Sequence, residues 1–160
     1  MVMNRPLLKS ICSLRHYSAS SANVLKTGGI LKQARTFSDS DIADYSKLTH
    51  DFNPLHFDLK CAKQAGFTEF PVPGMLVASL FPRIIACHFP GAVYVKQELK
   101  FRAPVFVGDK VVGEVQAKNI RQIKEIFLVK FVTTCSKDGE VVVIGGEAMA
   151  ILPTLSIKQP

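Results

Sequence analysis

The stretch from His50 to Phe57, with the sequence HDFNPLHF, is the most informative part of this chain. It holds a carboxylate at Asp51 and an imidazole at His56, five positions apart. Pro54 fixes its own φ angle and disfavours the helical conformation at Asn53, so we expect a kinked loop instead of regular helix. Such a loop can direct both side chains towards one point, where a carboxylate and an imidazole form a general acid–base pair.

Helices are predicted on both sides of this loop. One helix, beginning near Asp39, precedes it, and a second, capped by Asp58 and ended by Gly66, follows it. Further on, the apolar segment from Met75 to His88 is typical of a buried helix, and we expect Pro82 to interrupt or kink it.

The second half of the chain has the period of two that is typical of strands. Four segments rich in valine and isoleucine are separated by turn signals, of which Asp138-Gly139 is the strongest. We expect these strands at 93–103, 110–120, 126–136 and 140–152, after a short strand at 30–37. Because helices come first and a meander of antiparallel strands follows, the predicted class is α+β, with an apolar helix packed on a curved sheet.

The amino-terminal segment differs from the rest in composition. Residues 1–38 contain no acidic residue and are rich in arginine, lysine and serine, which is typical of a mitochondrial transit peptide and not of a secretory signal. Arg15-His16-Tyr17 resembles an arginine-proximal cleavage pattern, so a cut after Tyr17 is expected; the alternative is a tail that carries no address. The predicted organisation is a transit peptide at 1–17, a flexible entry at 18–29, one domain at 30–153 and a tail at 154–160.

Charge and cysteine content exclude several classes of function. The net charge is +7, but Arg5, Lys9 and Arg15 lie in the leader; removing them leaves 17 basic and 13 acidic residues, a net charge of +4. The remaining basic residues are scattered, which argues against nucleic-acid binding and suits an acidic carrier or a phosphorylated cofactor. The apolar run from Met75 to Phe81 is too short to span a membrane. The cysteines have no metal or redox spacing and are expected to be buried thiols: Cys12, Cys61, Cys87 and Cys135.

The chain resembles the MaoC-like, (R)-specific enoyl-thioester hydratases and dehydratases, which have the hot-dog fold. The resemblance covers about 30–153 and rests on DFNPLH at 51–56, PGML at 73–76 and LKFRAPVFVGD at 99–109. It implies a single hot-dog domain, in which an antiparallel sheet wraps around a central apolar helix, and a homodimer. With the mitochondrial leader, the resemblance is to family members that serve type II fatty acid synthesis in the matrix.

The resemblance also implies a reaction and its residues. It is the reversible dehydration of (3R)-hydroxyacyl thioesters, carried by acyl carrier protein or by coenzyme A, with no cofactor and no metal. Asp51 and His56 are the expected catalytic pair, and which of them moves which proton stays open. The backbone N–H of Gly74 is the expected oxyanion donor, while Asn53 and Pro54 support the loop. Without the resemblance, His56 could be an ordinary loop histidine and Gly74 an ordinary turn glycine.

Two departures and three alternatives accompany this interpretation. His50 stands where many relatives have glycine, and Pro82 where some bacterial relatives have serine. A metal site built from His50, Asp51, His56 and Asp58 is disfavoured, because zinc and iron sites use such ligands but this spacing matches no convincing metal motif. A hot-dog acyl-thioesterase is disfavoured because its acid usually lies on or beside the central helix, and 75–81 contains no carboxylate. A non-catalytic subunit that binds acyl chains would be expected to lack the acid–base pair.

Overall fold

The computed structural model describes residues 23–159, in which one antiparallel sheet packs against short helices. The helices are α1 (Asp39–Thr49), α2 (Leu59–Gln64), α3 (Gly74–Ala78) and α4 (Leu80–His88), and a 3₁₀ turn spans Pro54–His56. The strands are β1 (Ile30–Thr36), β2 (Val93–Phe101), β3 (Lys110–Ile123), β4 (Ile126–Lys137) and β5 (Val141–Leu152). The expected elements are therefore present, with boundaries within a few residues of those predicted.

Helix α1 begins where its capping residues predict. The Ser38 side chain accepts a hydrogen bond from the backbone N–H of Asp41, and the Asp41 carboxylate accepts one from the backbone N–H of Ser38. This reciprocal pair satisfies two of the free donors at the helix start. The same backbone N–H is the largest cause that lowers the pKa of Asp41. Ile42 is buried and attaches the helix to the core.

The central helical segment is interrupted, as expected from Pro82, but the break lies at Ser79, three residues before the proline. Proline has no N–H, and its ring would clash with the carbonyl of Ala78, four residues earlier, in a continuous helix. The chain therefore starts a new helix at Leu80, which puts Pro82 in a first turn where no intrahelical donor is needed. The N–H of Arg83 donates to the carbonyl oxygen of Ser79 at 3.3 Å, so the two helices follow each other closely.

The strand order is β1-β3-β4-β5-β2, with every neighbouring pair antiparallel. The predicted meander is right for β3, β4 and β5 and wrong for β2, which pairs with β5. Residues 102–109 do not form a tight hairpin; instead the carbonyl of Val105 accepts the N–H of Val72 at 2.7 Å. This connection runs beside residues 71–74 (the PVPG segment). Strand β2 therefore lies next to β5, at the end of the β3-β4-β5 meander that is opposite to β3.

The core lies between α4 and the inner face of the sheet. Leu80, Phe81, Ile84 and Ile85 of α4 are at most 1% exposed and pack against the sheet. Gly113 of β3 allows a close approach, since a Cβ there would lie 3.1 Å from the Cβ of Leu80. The fold is α+β with a central apolar helix enclosed by an antiparallel sheet, which is the hot-dog fold implied by the resemblance.

The described part of the expected flexible entry is attached to the domain. Leu25 is 2% exposed, and its N–H donates to the carbonyl oxygen of Leu155 at 2.8 Å. Val24 forms an antiparallel β-bridge with Ser156, and the N–H of Lys158 donates to the backbone carbonyl oxygen of His88. Residues 23–29 and the carboxyl-terminal tail thus stabilise each other, because backbone hydrogen bonds join the two segments. The predicted transit peptide at 1–17 and Cys12 lie outside the described residues.

Two further expectations concern cysteines and membrane spans. Cys135 is fully buried, as expected, and burial raises the pKa of its thiol to about 12. Cys61 is half-buried and Cys87 is exposed, so the expectation of buried thiols is wrong for Cys87.

Across 23–159, none of the helices has both the length and the apolar character that crossing a bilayer requires.

Candidate active site

The loop after α1 is folded by its own side chains. The Oδ1 atom of Asp51 accepts the backbone N–H of Asn53 at 3.2 Å, and the Oδ1 atom of Asn53 accepts that of Leu55 at 3.1 Å. Pro54 then occupies the first position of the 3₁₀ turn that ends at His56. Two consecutive turns of this kind, each closed by a side-chain oxygen, give the loop a defined path without regular helix. The bond from the Leu55 N–H to Asn53 is consistent with the expected role of Asn53 in supporting the loop.

His50 ends α1 in the left-handed conformation, with φ of 58°. For a residue with a Cβ, this conformation costs roughly 1–2 kcal/mol, whereas glycine adopts it freely. The departure from glycine noted in the sequence therefore falls at a position whose backbone favours glycine. Because Asp51 follows directly, the strained residue fixes the direction in which the loop leaves the helix.

The imidazole of His56 makes one hydrogen bond, and the residue lines a cavity. Its Nδ1 atom lies 2.7 Å from the carbonyl oxygen of Pro71. A carbonyl oxygen only accepts, so Nδ1 carries the proton and donates it, which leaves Nε2 as the free acceptor of the neutral ring. Pro71 has a fixed position, since it is buried and forms an antiparallel β-bridge with Phe106. The ring is thus positioned with its basic nitrogen available.

The cavity beside His56 has a volume of about 490 Å³ and mainly apolar walls. A cavity of this size with a few polar groups is typical of a site for a small ligand. Its walls come from the loop, the PVPG segment, α3, the end of β2 and β5. The lining residues are Leu55, His56, Phe67, Pro71, Val72, Gly74, Met75, Val77, Phe101, Arg102, Ala103, Pro104, Val105 and Ile144.

Gly74 lines the same cavity as His56, at the first position of α3. Within 23–159 its backbone N–H has no hydrogen-bond partner, as expected for the start of a helix. The ring of Phe101 lies over it: a Cβ on Gly74 would be 2.7 Å from Cε1 of Phe101. A larger residue at this position must therefore displace the ring of Phe101, whatever the role of the N–H.

Asp51, unlike His56 and Gly74, is not part of the cavity wall. It is half-buried at the start of the loop, and one carboxylate oxygen is engaged by Asn53. The structure thus brings together His56 and Gly74, while Asp51 lies outside the lining set. Asp58 has the capping position that the sequence predicts: its carboxylate accepts the N–H groups of Cys61 and Lys60, which lower its pKa. In the described chain, no three metal-ligating side chains are grouped.

Several cavity residues carry no local sequence signal. Phe101 and Arg102 lie at the end of a predicted strand, and Ile144 lies in the middle of another, where the alternating pattern indicates only a sheet. The motif LKFRAPVFVGD contains Phe101 and Arg102, but it does not predict that these residues line a cavity with His56. Only the pairing of β2 with β5 brings these residues to the loop.

Replacing Gly74 with alanine should reduce activity and leave the protein folded. The new Cβ displaces the ring of Phe101, which is 54% exposed and free to move, so the free energy of unfolding should change by about 1 kcal/mol or less. The displaced ring narrows the cavity, and kcat/KM should fall roughly 10- to 100-fold. Steady-state kinetics and thermal unfolding measure the two effects.

The Phe101→Leu background is the control for this substitution. If the ring causes the loss, Gly74→Ala should cost less activity in that background than in the wild type. An unfolded Gly74→Ala protein, or one with wild-type kcat/KM, would contradict the packing of the Phe101 ring on Gly74.

Comparison with known proteins gives three results that agree with one another. A family model described as "MaoC like domain" matches residues 21–137. The mitochondrial 3-hydroxyacyl-[acyl-carrier-protein] dehydratase FERN of Solanum lycopersicum is 58% identical over 157 residues, covering 96% of this chain and 95% of the relative. The mitochondrial 3-hydroxyacyl-[acyl-carrier-protein] dehydratase of Arabidopsis thaliana is 51% identical over 153 residues, covering 94% and 92%.

A solved structure is also similar along most of its length. The (R)-hydratase from A. caviae involved in PHA biosynthesis superposes with a TM-score of 0.74 at 35% sequence identity. The match covers 81% of this chain and 98% of that one.

Proposed function

Because this chain belongs to the family of MaoC-like domains, we propose that it catalyses the reversible dehydration of (3R)-hydroxyacyl thioesters to trans-2-enoyl thioesters. It is a hydro-lyase of the hot-dog fold. The observation that carries the proposal is His56, which lines an apolar cavity together with Gly74 and is bound through Nδ1, so that Nε2 is the acceptor nitrogen of the neutral ring.

The reaction needs a base, an acid and a group that stabilises negative charge. In dehydration, the C2–H bond breaks, its proton passes to the base, and the C3–O bond breaks as the hydroxyl leaves with an added proton as water. In the proposal, Nε2 of His56 is the first choice for the base, since a neutral imidazole accepts a proton near neutral pH. Hydration uses the same groups to deliver one water in the reverse direction.

Asp51 is proposed as the partner of His56. It belongs to the same loop, whose path its own Oδ1 atom helps to define. Within 23–159, its second carboxylate oxygen has no protein hydrogen-bond partner, so that oxygen can orient the water or the departing hydroxyl. The order of proton transfers between Asp51 and His56 is left open in the proposal. Asn53 and Pro54 support the loop that carries both groups.

Gly74 is proposed to stabilise the enolate oxygen that develops on the thioester carbonyl. Gly74 lines the cavity and its N–H is unpaired among the described residues, so in the proposal this N–H donates to an oxygen there. A preorganised donor of this kind acts mainly on charge that appears in the transition state.

The alternative functions have less support. A thioesterase of this fold would be expected to use a carboxylate near the central helix, and the described lining residues include none. A non-catalytic acyl-binding subunit would not need a histidine held with its basic nitrogen free. No observation favours either alternative specifically.

A homodimer is part of the proposal. Strand β2 is an edge of the sheet, and Val93 and Val95 near its start are 57% and 51% exposed. An open edge with apolar side chains is normally covered by another strand, and a second copy of this chain would supply one. Light scattering should therefore give the mass of two chains, and a monomer at micromolar concentration would contradict this part.

The chain acts in the mitochondrion. Both plant relatives are named as mitochondrial, and residues 1–17 have the composition of a transit peptide. We place the reaction in the matrix, in type II fatty acid synthesis, where the carrier would be acyl carrier protein, with coenzyme A as the alternative. The protein recovered from mitochondria should begin near Ser18.

The test is a hydration assay with a trans-2-enoyl thioester. We expect loss of the enoyl absorbance and a 3-hydroxyacyl product of R configuration, measured by chiral chromatography, without release of free thiol. A product of S configuration would contradict the stereochemistry. Free thiol without a hydroxyacyl product would identify a thioesterase, and no turnover of any thioester would favour a binding subunit.

A further inference from the structure

Arg102 is the one lining residue of the described cavity that carries a permanent charge. It follows the last residue of β2 and is exposed, whereas His56 is half-buried and Val72, Val77, Val105 and Ile144 are buried. The guanidinium therefore lies at the solvent side of a cavity whose deeper walls are apolar. A substrate that enters with its acyl chain first would leave its carrier on this side.

The position of Arg102 is well defined by its backbone and by a neighbouring glycine. Its N–H donates to the carbonyl oxygen of Val143 at 2.8 Å. Its guanidinium lies over Gly145, where an added Cβ would be 3.5 Å from Nε and 3.9 Å from Cζ. The side chain is thus packed against the backbone of β5, which reduces the entropy that it loses on binding a ligand.

The charge of Arg102 has no acidic partner among the residues that the structure describes. Across 23–159, the ion pairs involve other residues, and no carboxylate lies within 4.0 Å of this guanidinium. An arginine without an acid at the mouth of an apolar cavity can bind an anion of the ligand. The planar guanidinium has several N–H donors and can donate two parallel hydrogen bonds to the oxygens of one phosphate.

We infer that Arg102 binds the phosphate of the pantetheine arm on which the acyl thioester is carried. This inference rests on the proposed function, because it takes the substrate to be a pantetheine thioester. The phosphate is common to coenzyme A and to acyl carrier protein, so Arg102 acts as a positioning residue for either carrier. It orients the arm while His56 and Gly74 act on the acyl group.

The experiment compares enoyl thioesters that differ by this phosphate alone. Trans-2-enoyl pantetheine lacks the phosphate, trans-2-enoyl 4′-phosphopantetheine has it, and the coenzyme A and acyl-carrier-protein thioesters contain the second compound. For Arg102→Ala, KM should rise roughly 10-fold for the phosphopantetheine thioester and by less than about 2-fold for the pantetheine thioester, with kcat unchanged for both. Both natural carriers should follow the phosphopantetheine thioester.

Two further variants complete the experiment. Arg102→Lys keeps the charge but not the paired contact, so its KM should lie between those of the wild type and Arg102→Ala. Arg121→Ala removes an exposed arginine of β3 that does not line the cavity and should leave all KM values unchanged. Raising the salt concentration should increase the wild-type KM for the phosphopantetheine thioester more than that of Arg102→Ala.

Other outcomes would overturn the inference. An equal loss with both small thioesters would mean that Arg102 contacts an uncharged part of the arm or only shapes the wall. A loss confined to the coenzyme A thioester would point to the nucleotide phosphates instead. A wild-type protein that hydrates none of the thioesters would contradict the proposed function itself, which is a separate result from a normal enzyme that is insensitive to Arg102.

Discussion

Replacing His56 with alanine is expected to lower kcat for hydration of a trans-2-enoyl thioester about 10³-fold. The imidazole is bound by Pro71 through Nδ1 and belongs to a cavity-lining residue, so its loss removes the group that we propose to transfer a proton in the transition state. General acid–base groups typically contribute about 10²- to 10⁴-fold. KM should change much less, because the apolar walls of the cavity remain.

His88 provides a matched control for this substitution. Its Nδ1 atom also lies near a backbone carbonyl oxygen, that of Lys158, at 2.8 Å, but it does not line the cavity. His88→Ala should therefore keep the wild-type kcat, and a comparable loss in both variants would point to a general effect on folding. A His56→Ala protein that keeps more than a tenth of wild-type kcat would contradict the catalytic role.

The same design separates the two acidic residues of the loop region. Asp51→Asn should lower kcat about 10²-fold if its carboxylate orients the reacting water. Asp58→Asn should have little effect, since asparagine also caps a helix and Asp58 only binds the N–H groups of Lys60 and Cys61. Equal activity of both variants would remove Asp51 from the mechanism. That result would agree with its position outside the cavity wall.

Replacing Gly146 with alanine is expected to lower the free energy of unfolding by about 3 kcal/mol or more. Gly146 lies on β5 opposite Leu99, and a Cβ built on it overlaps the carbonyl oxygen of Glu98 on β2. The obstacle is backbone in a paired strand, which cannot rotate away as a side chain does. The two strands must separate locally, and forced overpacking of this kind is among the costly substitutions.

Gly145 is the control, because it is adjacent in sequence and pairs with the same strand. A Cβ there would only meet Arg102 at 3.5 Å, which is ordinary contact. Gly145→Ala should change the free energy of unfolding by less than about 1 kcal/mol, measured by urea denaturation. If Gly146→Ala were as stable as Gly145→Ala, the close approach of β2 and β5 would be wrong. Because β2 ends at Phe101, Gly146→Ala should also disturb the cavity.

The local structure of this protein follows from short-range signals in the chain. Ser38 and Asp41 are close enough in sequence to form their capping box in any helix that begins there, and Asp138-Gly139 forms its turn with positive φ at both residues. The same holds for the loop, where Asp51 and Asn53 bind backbone groups two residues ahead. These interactions depend on neighbours within four positions, so residue type and spacing are enough to predict them.

The order of the strands and the walls of the cavity depend on distant residues and could not be predicted in this way. The alternating pattern of β2 is satisfied equally by pairing with β3 or with β5, and only packing of the whole chain selects β5. That choice brings Phe101 and Arg102 to a cavity with His56, while Asp51 stays outside its wall. Local patterns carry conformational preference, whereas a site built from several segments is decided by the burial and pairing of all of them together.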